Sequence, residues 1–162
     1  MVQKNSTGTY IETKVLTASP EQLQMMLYDG AIRFCEQARP AIENKEIEKS
    51  YLLLQKAQNI VMELTNTMRD ELAPEACANM RRLYIFCYDR LVVANIKKDL
   101  IALDEALKVL HHIRQTWVLL MEKLTQERVE KNAGKPSTPP RNEAGPDNLE
   151  NALVGGSINF QG

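Results

Sequence analysis

The sequence predicts an all-α protein: an antiparallel four-helix bundle with a flexible N-terminal segment and a disordered C-terminal tail. Three observations carry this. Apolar residues recur at spacings of three and four through most of the chain, the period of helices buried on one face. Gly and Pro are displaced toward the ends. Between Glu21 and Lys131 there are one Gly and two Pro; from Asn132 to Gly162 there are five Gly and four Pro. The periodic stretches are joined by short polar turns, which make successive helices antiparallel neighbours. The expected boundaries are a cover segment at 1–18, the bundle at 19–131 and the tail at 132–162.

Residues 1–18 are polar and show no helical period, although Tyr10, Ile11, Val15 and Leu16 are apolar. The first helix starts sharply at Ser19-Pro20-Glu21-Gln22. Ser19 suits the N-cap, Pro20 the first helical position, and Gln22 can reach back to close a capping box. Its stripe is Leu23, Met26, Leu27, Gly30, Ala31, Phe34, Ala38 and Ile42. Pro40 predicts a kink or an early end, and Asn44-Lys45 the turn. The second helix is expected from about Glu46 to Leu72. It carries two stripes: Ile47, Tyr51, Leu54, Gln58, Val61, Thr65, Met68, Leu72, and Leu53, Ala57, Ile60, Leu64. Two stripes place it centrally or leave apolar surface for a partner.

Ala73-Pro74 breaks the chain. The third helix is expected from about Glu75 to Ile96, with Met80, Leu83, Tyr84, Cys87, Leu91 and Ala94 inward and Ile85, Tyr88, Val92 and Asn95 flanking. Asp99 suits the cap of the fourth helix, about Leu100 to Val129, with Leu103, Leu107, Leu110, Ile113, Trp117, Leu120 and Leu124 inward. From Lys131 the composition cannot bury enough apolar surface to offset ordering entropy.

The composition also excludes function classes. With 20 basic and 21 acidic residues the net charge is −1, and no segment concentrates positive charge, so a nucleic-acid partner is not expected. No apolar run approaches the ~18–20 residues of a membrane span, so no membrane insertion is expected. Three cysteines without C-x-x-C spacing read as reduced thiols of a cytosolic protein. His111 and His112 are adjacent and lack the Glu-x-x-His spacing of a di-metal bundle. No phosphate-binding, dinucleotide or nucleophile-elbow motif occurs. No metal, cofactor or catalytic residue is expected, and the reading is a binding protein rather than an enzyme. Tyr28, Tyr51, Tyr84 and Tyr88 put phenols on or beside apolar faces, where a wet end such as a groove would suit them. Gln58 and Thr65 interrupt the second helix; they either hydrogen-bond within the bundle or face a groove.

The segment Val15-Leu16-Thr17-Ala18-Ser19-Pro20-Glu21-Gln22-Leu23, followed by Met26-Leu27-Tyr28-Asp29-Gly30-Ala31-Ile32, resembles the N-terminal signature of the flagellar secretion chaperone family FliS. Ala41-Ile42-Glu43-Asn44-Lys45, Lys56-Ala57-Gln58-Asn59-Ile60-Val61, Glu63-Leu64, Leu83-Tyr84, Tyr88, Arg90-Leu91-Val92-Val93-Ala94-Asn95, Arg114 and Trp117 continue it in order, over roughly Tyr10 to Leu124. The resemblance implies a cytosolic export chaperone. It would bind the disordered C-terminal region of flagellin, prevent premature polymerisation and deliver it to the flagellar type III secretion apparatus. It also implies contact with an export-gate component.

Carried onto matching positions, the groove would comprise Ile47, Tyr51, Leu54, Ala57, Gln58 and Val61 with Tyr84, Tyr88, Leu91 and Asn95. Tyr10, Val15 and Leu16 would form a removable cover over apolar surface. Tyr28 would contact either the core or that cover. The alternative is a helical adaptor or regulatory protein with a different amphipathic client. Nothing in the sequence separates a monomer from a homodimer, since an exposed apolar groove can pair with itself.

Overall fold

A computed structural model describes residues 6–71 and 73–134. The helices are α1 (Ser6–Thr17), α2 (Pro20–Glu43), α3 (Ile47–Asn66), α4 (Pro74–Lys97) and α5 (Leu100–Ala133). Helices α2 to α5 form the bundle, and side-chain contacts establish that each neighbouring pair is antiparallel. Gly30 approaches Ile60 while Phe34 meets Lys56, so α2 and α3 run opposite ways. Arg81 reaches the Thr65 carbonyl while Asn95 reaches that of Tyr51, which reverses α3 against α4. Cys87 meets the Ala106 carbonyl and Arg90 meets Glu105, pairing α4 with α5. Arg39–Asp104, Glu36–His111 and Asp29–Arg114 close α5 back onto α2.

The α2 start is as the residues require. Ser19 Oγ accepts the Gln22 N–H at 3.2 Å, Gln22 Oε1 accepts the Ser19 N–H at 3.0 Å, and Pro20 opens the helix. Pro40 does not end α2 early: the helix runs on to Glu43. Only one intrahelical donor is missing there, and a Schellman closure secures the last turn. Lys45 takes the left-handed conformation (φ 59°), its N–H bonds the Ile42 carbonyl, and the Glu46 N–H bonds that of Ala41. At the α4–α5 turn Lys98 is again left-handed (φ 53°), and Asp99 Oδ1 accepts the N–H groups of Ile101 and Ala102.

Three expectations are corrected. The helix placed at Glu46 to Leu72 stops at Asn66. Thr67 donates its hydroxyl and its N–H to the Glu63 carbonyl, a local bonding mode that competes with helix continuation. Arg81 then grips the following segment through both oxygens of Asp70, each at 2.8 Å. Leu72 lies outside the described residues. Leu120 and Leu124 are exposed rather than inward, because α2 begins at Pro20 and the Trp117 indole already lies level with the Glu21 carbonyl. Finally, the N-terminal segment is helical over Ser6–Thr17 despite its lack of a stripe. Thr13 and Thr17 donate their hydroxyls to carbonyls four residues back, and the residues from Thr7 to Thr17 are all exposed.

The compact unit holding the bundle spans Met1–Thr125; a second begins at Gln126, and its described residues 126–134 are exposed. The tail expected at 132–162 thus starts inside α5, and its remainder from residue 135 lies outside the described residues. Among the described residues, no helix is long and apolar enough to cross a membrane.

Two predictions follow from caps and burial. Ser19→Ala should lower unfolding free energy by about 1 kcal/mol, read as a lower denaturant midpoint with an unchanged slope. Burial pushes the thiols of Cys35 and Cys87 up to about 12, the former also through its proximity to Cys87 and Glu36. Cys77 is only half-buried. At pH 8 an alkylating reagent should therefore modify Cys77 alone in the folded chain and all three cysteines after denaturation; rapid native labelling of Cys35 or Cys87 would contradict the packing.

Candidate functional site

The stripe that α3 contributes to the core is Ser50, Leu54, Ala57, Val61 and Leu64. It takes members from both stripes read in the sequence. Six of the groove candidates are consequently buried: Leu54, Ala57, Val61, Tyr84, Leu91 and Asn95. Leu54 and Leu91 have no exposed surface at all, so these two cannot line an open groove as packed. Periodicity alone marks stripes on α3 and α4 and does not tell which of them faces the interior of the bundle.

Ile47 and Tyr51 are exposed at 58% and 48%, and Gln58 and Tyr88 are half-buried. Ile47 borders a separate cleft of α3 residues with Lys49, Leu52, Leu53 and Lys56, Tyr88 lines a small furrow between α3 and α4, and the Tyr51 carbonyl meets α4 at Asn95. Near its α4 start the furrow is lined by Met62, Thr65, Tyr84, Ile85 and Tyr88. At the other end the Asn95 amide donates to the Tyr51 carbonyl at 3.3 Å, and Lys98 Nζ sits 5.9 Å from the Tyr51 ring centre while donating to Asn95 Oδ1. Partial desolvation lowers the Lys98 ammonium below its ordinary value. Thr65 donates its hydroxyl to the Val61 carbonyl and still borders the furrow, so both readings of this residue hold together. Met62, Ile85 and Ile96 are exposed apolar residues that the candidate set omitted. The signal was present: Ile85, Tyr88, Val92 and Ile96 repeat at three, seven and eleven residues along one side of α4.

Two of the four tyrosines for which a wet groove was expected, Tyr28 and Tyr84, satisfy each other instead. Tyr28 and Tyr84 are both buried, their hydroxyls are 2.6 Å apart, and Gln24 Nε2 donates to the Tyr28 oxygen at 2.8 Å. Burial raises the Tyr84 phenol well above its ordinary value. Tyr28 also meets the Trp117 ring edge-on at 6.3 Å, so it belongs to the core and not to the cover.

A second furrow lies between α2 and α3, and α1 borders it. Ile11 and Val15 face Leu23, Leu27, Gly30, Phe34 and Ile60 across a cleft of about 600 Å³. Arg33 and Lys56 each stand 5.4 Å from the Phe34 ring centre. Of the cover residues only Val15 takes part; Tyr10 and Leu16 are 68% and 79% exposed. Ile11, one turn before Val15, supplies the second contact. No described residue of α1 lines the α3–α4 furrow. Both histidines are exposed, and His111 Nε2 stands 3.7 Å from Glu36 Oε1.

Residues 3–124 match the family model described as flagellar protein FliS. The chain is 36% identical to the flagellar secretion chaperone FliS of Bacillus subtilis over 79% of its own length and 95% of that protein. It is 33% identical to the flagellar secretion chaperone FliS of Salmonella typhimurium over 66% of its length and 80% of that relative. A crystal structure of a flagellar chaperone from bacteria shares the fold, with a TM-score of 0.61 at 15% identity, covering 72% of this chain and 94% of that one.

The division between core and furrow is tested by two charged substitutions on α3. Leu54→Asp buries a carboxylate without a partner and should leave the chain unfolded by circular dichroism. Met62→Asp, on the exposed shoulder, should keep the wild-type helical spectrum and melt within a few degrees of it. Equal behaviour of the two would remove the distinction.

Proposed function

The chain belongs to the FliS family of flagellar proteins, and from that membership we propose that it is a flagellar export chaperone whose client is the C-terminal segment of flagellin. The observation that carries the reading is the α3–α4 furrow, with Ile47, Tyr51, Met62, Ile85 and Ile96 exposed on two adjoining helices. Exposed apolar surface of this extent marks an interaction site. Along α3 the stretch from Ile47 to Thr65 is about 27 Å at 1.5 Å per residue. An amphipathic client helix of about 18 residues fits that length, its apolar anchors at helical spacing entering between the two rows. Gln58 and the Lys98–Asn95 pair offer polar contacts beside the apolar anchors.

The α2–α3 furrow extends the same surface once α1 leaves it. A helix of 12 residues is marginal by itself, and α1 faces its furrow with Ile11 and Val15. Its detachment therefore costs little. In this reading flagellin occupies the open furrow first and displaces α1 from the other. The wrapped client cannot polymerise, and the complex is handed to a component of the export gate in the cytosol.

Calorimetric titration with a C-terminal flagellin peptide, at two temperatures, tests this. One-to-one binding with a strongly negative heat-capacity change is expected, because coupled folding buries ~1,000–3,000 Å². Tyr51→Asp and Met62→Asp should each weaken binding about tenfold or more while the fold persists. Absence of binding by the folded protein would reject flagellin and assign the furrow to another amphipathic client.

A further inference from the structure

Resting on the reading of the α3–α4 furrow as a client groove, we propose that Gln58 and Tyr88 form a polar subsite at its centre. This subsite selects a client helix whose apolar face is interrupted by one carboxamide, an Asn or a Gln. Two bridges between the helices set the register. The Arg81 guanidinium donates to the Thr65 carbonyl, and the Asn95 amide donates to that of Tyr51. Gln58 lies seven residues from both Tyr51 and Thr65, and Tyr88 lies seven from both Arg81 and Asn95. Seven residues are two turns, about 10 Å, along one line of a helix. The two side chains are therefore level with each other, on the facing lines of α3 and α4, midway between the bridges. Both are half-buried. Met62, Tyr84 and Ile85 line the furrow beside Tyr88.

The fold makes no use of either polar group. Among the described residues Gln58 and Tyr88 form no hydrogen bond, and no buried side-chain polar atom lacks a partner, so their polar atoms stay open to water. That alone calls for no partner, since water satisfies them in the free chain. The constraint comes from docking. A helix seated between α3 and α4 strips water from both groups, and a polar group covered without a replacement bond is destabilising. An all-apolar stripe is therefore penalised at this one level while it gains burial at Met62 and Ile85. A carboxamide meets the demand. It donates and accepts at once, as the Gln58 amide does, and the Tyr88 hydroxyl adds a further donor or acceptor. A carboxylate fits worse. The cations toward the two ends are engaged, Arg81 with Asp70 and Lys98 with Asn95 and the Tyr51 ring, and Asp89 follows Tyr88 with a like charge. One polar residue within an apolar seam fixes the register of paired helices, so the subsite also sets where along the furrow the client stops.

A helical peptide of about 18 residues tests this in host–guest form. It carries one Leu stripe with Gln, Leu, Glu or Lys as the guest in mid-stripe, and it is titrated into the full chain. Wild type should bind the Gln guest about tenfold tighter than the Leu guest, with Glu and Lys weaker than Gln. In Gln58→Leu/Tyr88→Phe the subsite is apolar and the order of Gln and Leu should reverse. Met62→Asp should weaken every guest alike, which places the binding in this furrow. Tyr88→Phe alone removes one hydroxyl and should lose part of the preference, so the proposal stays testable where the double variant fails to fold by circular dichroism. Equal guest preferences in wild type and variants, a Leu guest bound tighter than Gln by wild type, or a folded chain that binds no guest would each overturn the subsite. Flagellin peptide binding without a guest preference rejects the subsite alone. A guest preference without flagellin binding rejects that client and leaves the subsite.

Discussion

Into the core α3 sends a single narrow line, Ser50, Leu54, Ala57, Val61 and Leu64, and most of the surface argument descends from that. Two of these five residues are small, and α2 meets the bundle with Gly30, Ala31, Ala38 and Ala41. Helix separation depends on the side chains at the contact, and here they permit a close approach. A Cβ on Gly30 would stand 3.2 Å from Ile60 Cδ1. Burial on α3 is confined to that narrow line, with Tyr51, Leu52 and Met62 exposed beside it. One shoulder forms the furrow with α2, the other the furrow with α4.

Much of this was legible in the residues, but unevenly. Ser19-Pro20-Glu21-Gln22 specifies a helix start through local chemistry alone, and the capping box forms as read. Asp99 is equally local. What the sequence could not settle was the phase of a stripe relative to the bundle axis. Leu54, Val61 and Leu91 lie a few residues from the exposed Tyr51, Met62 and Ile85 on the same helices, and only packing against neighbours decides which set is inward. Helix length failed where the ending is made by partners rather than by breakers. Thr67 and the Arg81–Asp70 grip stop α3 before any proline. The overhang of α5 past Trp117 depends on where α2 begins, a relation between distant segments. For α1 the hydropathy pattern held too little information, since only Ile11 and Val15 define its facing side.

The seams between helices are unequal, and that inequality directs where binding can occur. The α2–α5 seam is crossed by Arg39–Asp104, Glu36–His111 and Asp29–Arg114. Such partly exposed pairs add little stability, but they cover the seam with charge and deny it to an apolar partner. The α3–α4 seam carries two polar bridges, Arg81 to the Thr65 carbonyl toward one end and Asn95 to the Tyr51 carbonyl toward the other, and is bordered between them by Met62, Ile85 and Tyr88. The Tyr28–Tyr84 hydroxyls bond each other within the core. An apolar helix reaching the surface therefore meets desolvation cost on one side of the molecule and gains burial on the other.

The position of α1 makes the cover narrower in scope than the sequence implied. It borders the α2–α3 furrow, leaving the α3–α4 furrow free of its described residues. A client then need not wait for α1 to detach before making its first contact. Binding in the open furrow would bring further client segments beside the covered one, at the effective concentration that a short tether creates. Two apolar side chains hold α1 against that competition, with Tyr10 and Leu16 already turned outward. On the proposed function, the open furrow would capture first and the covered furrow would be entered second, by a segment already held nearby. A cover lying over both would have to open before any contact formed, and association would be limited by the fraction of time it stood open. Splitting the surface in two removes that limit while still hiding part of the apolar area in the free chain.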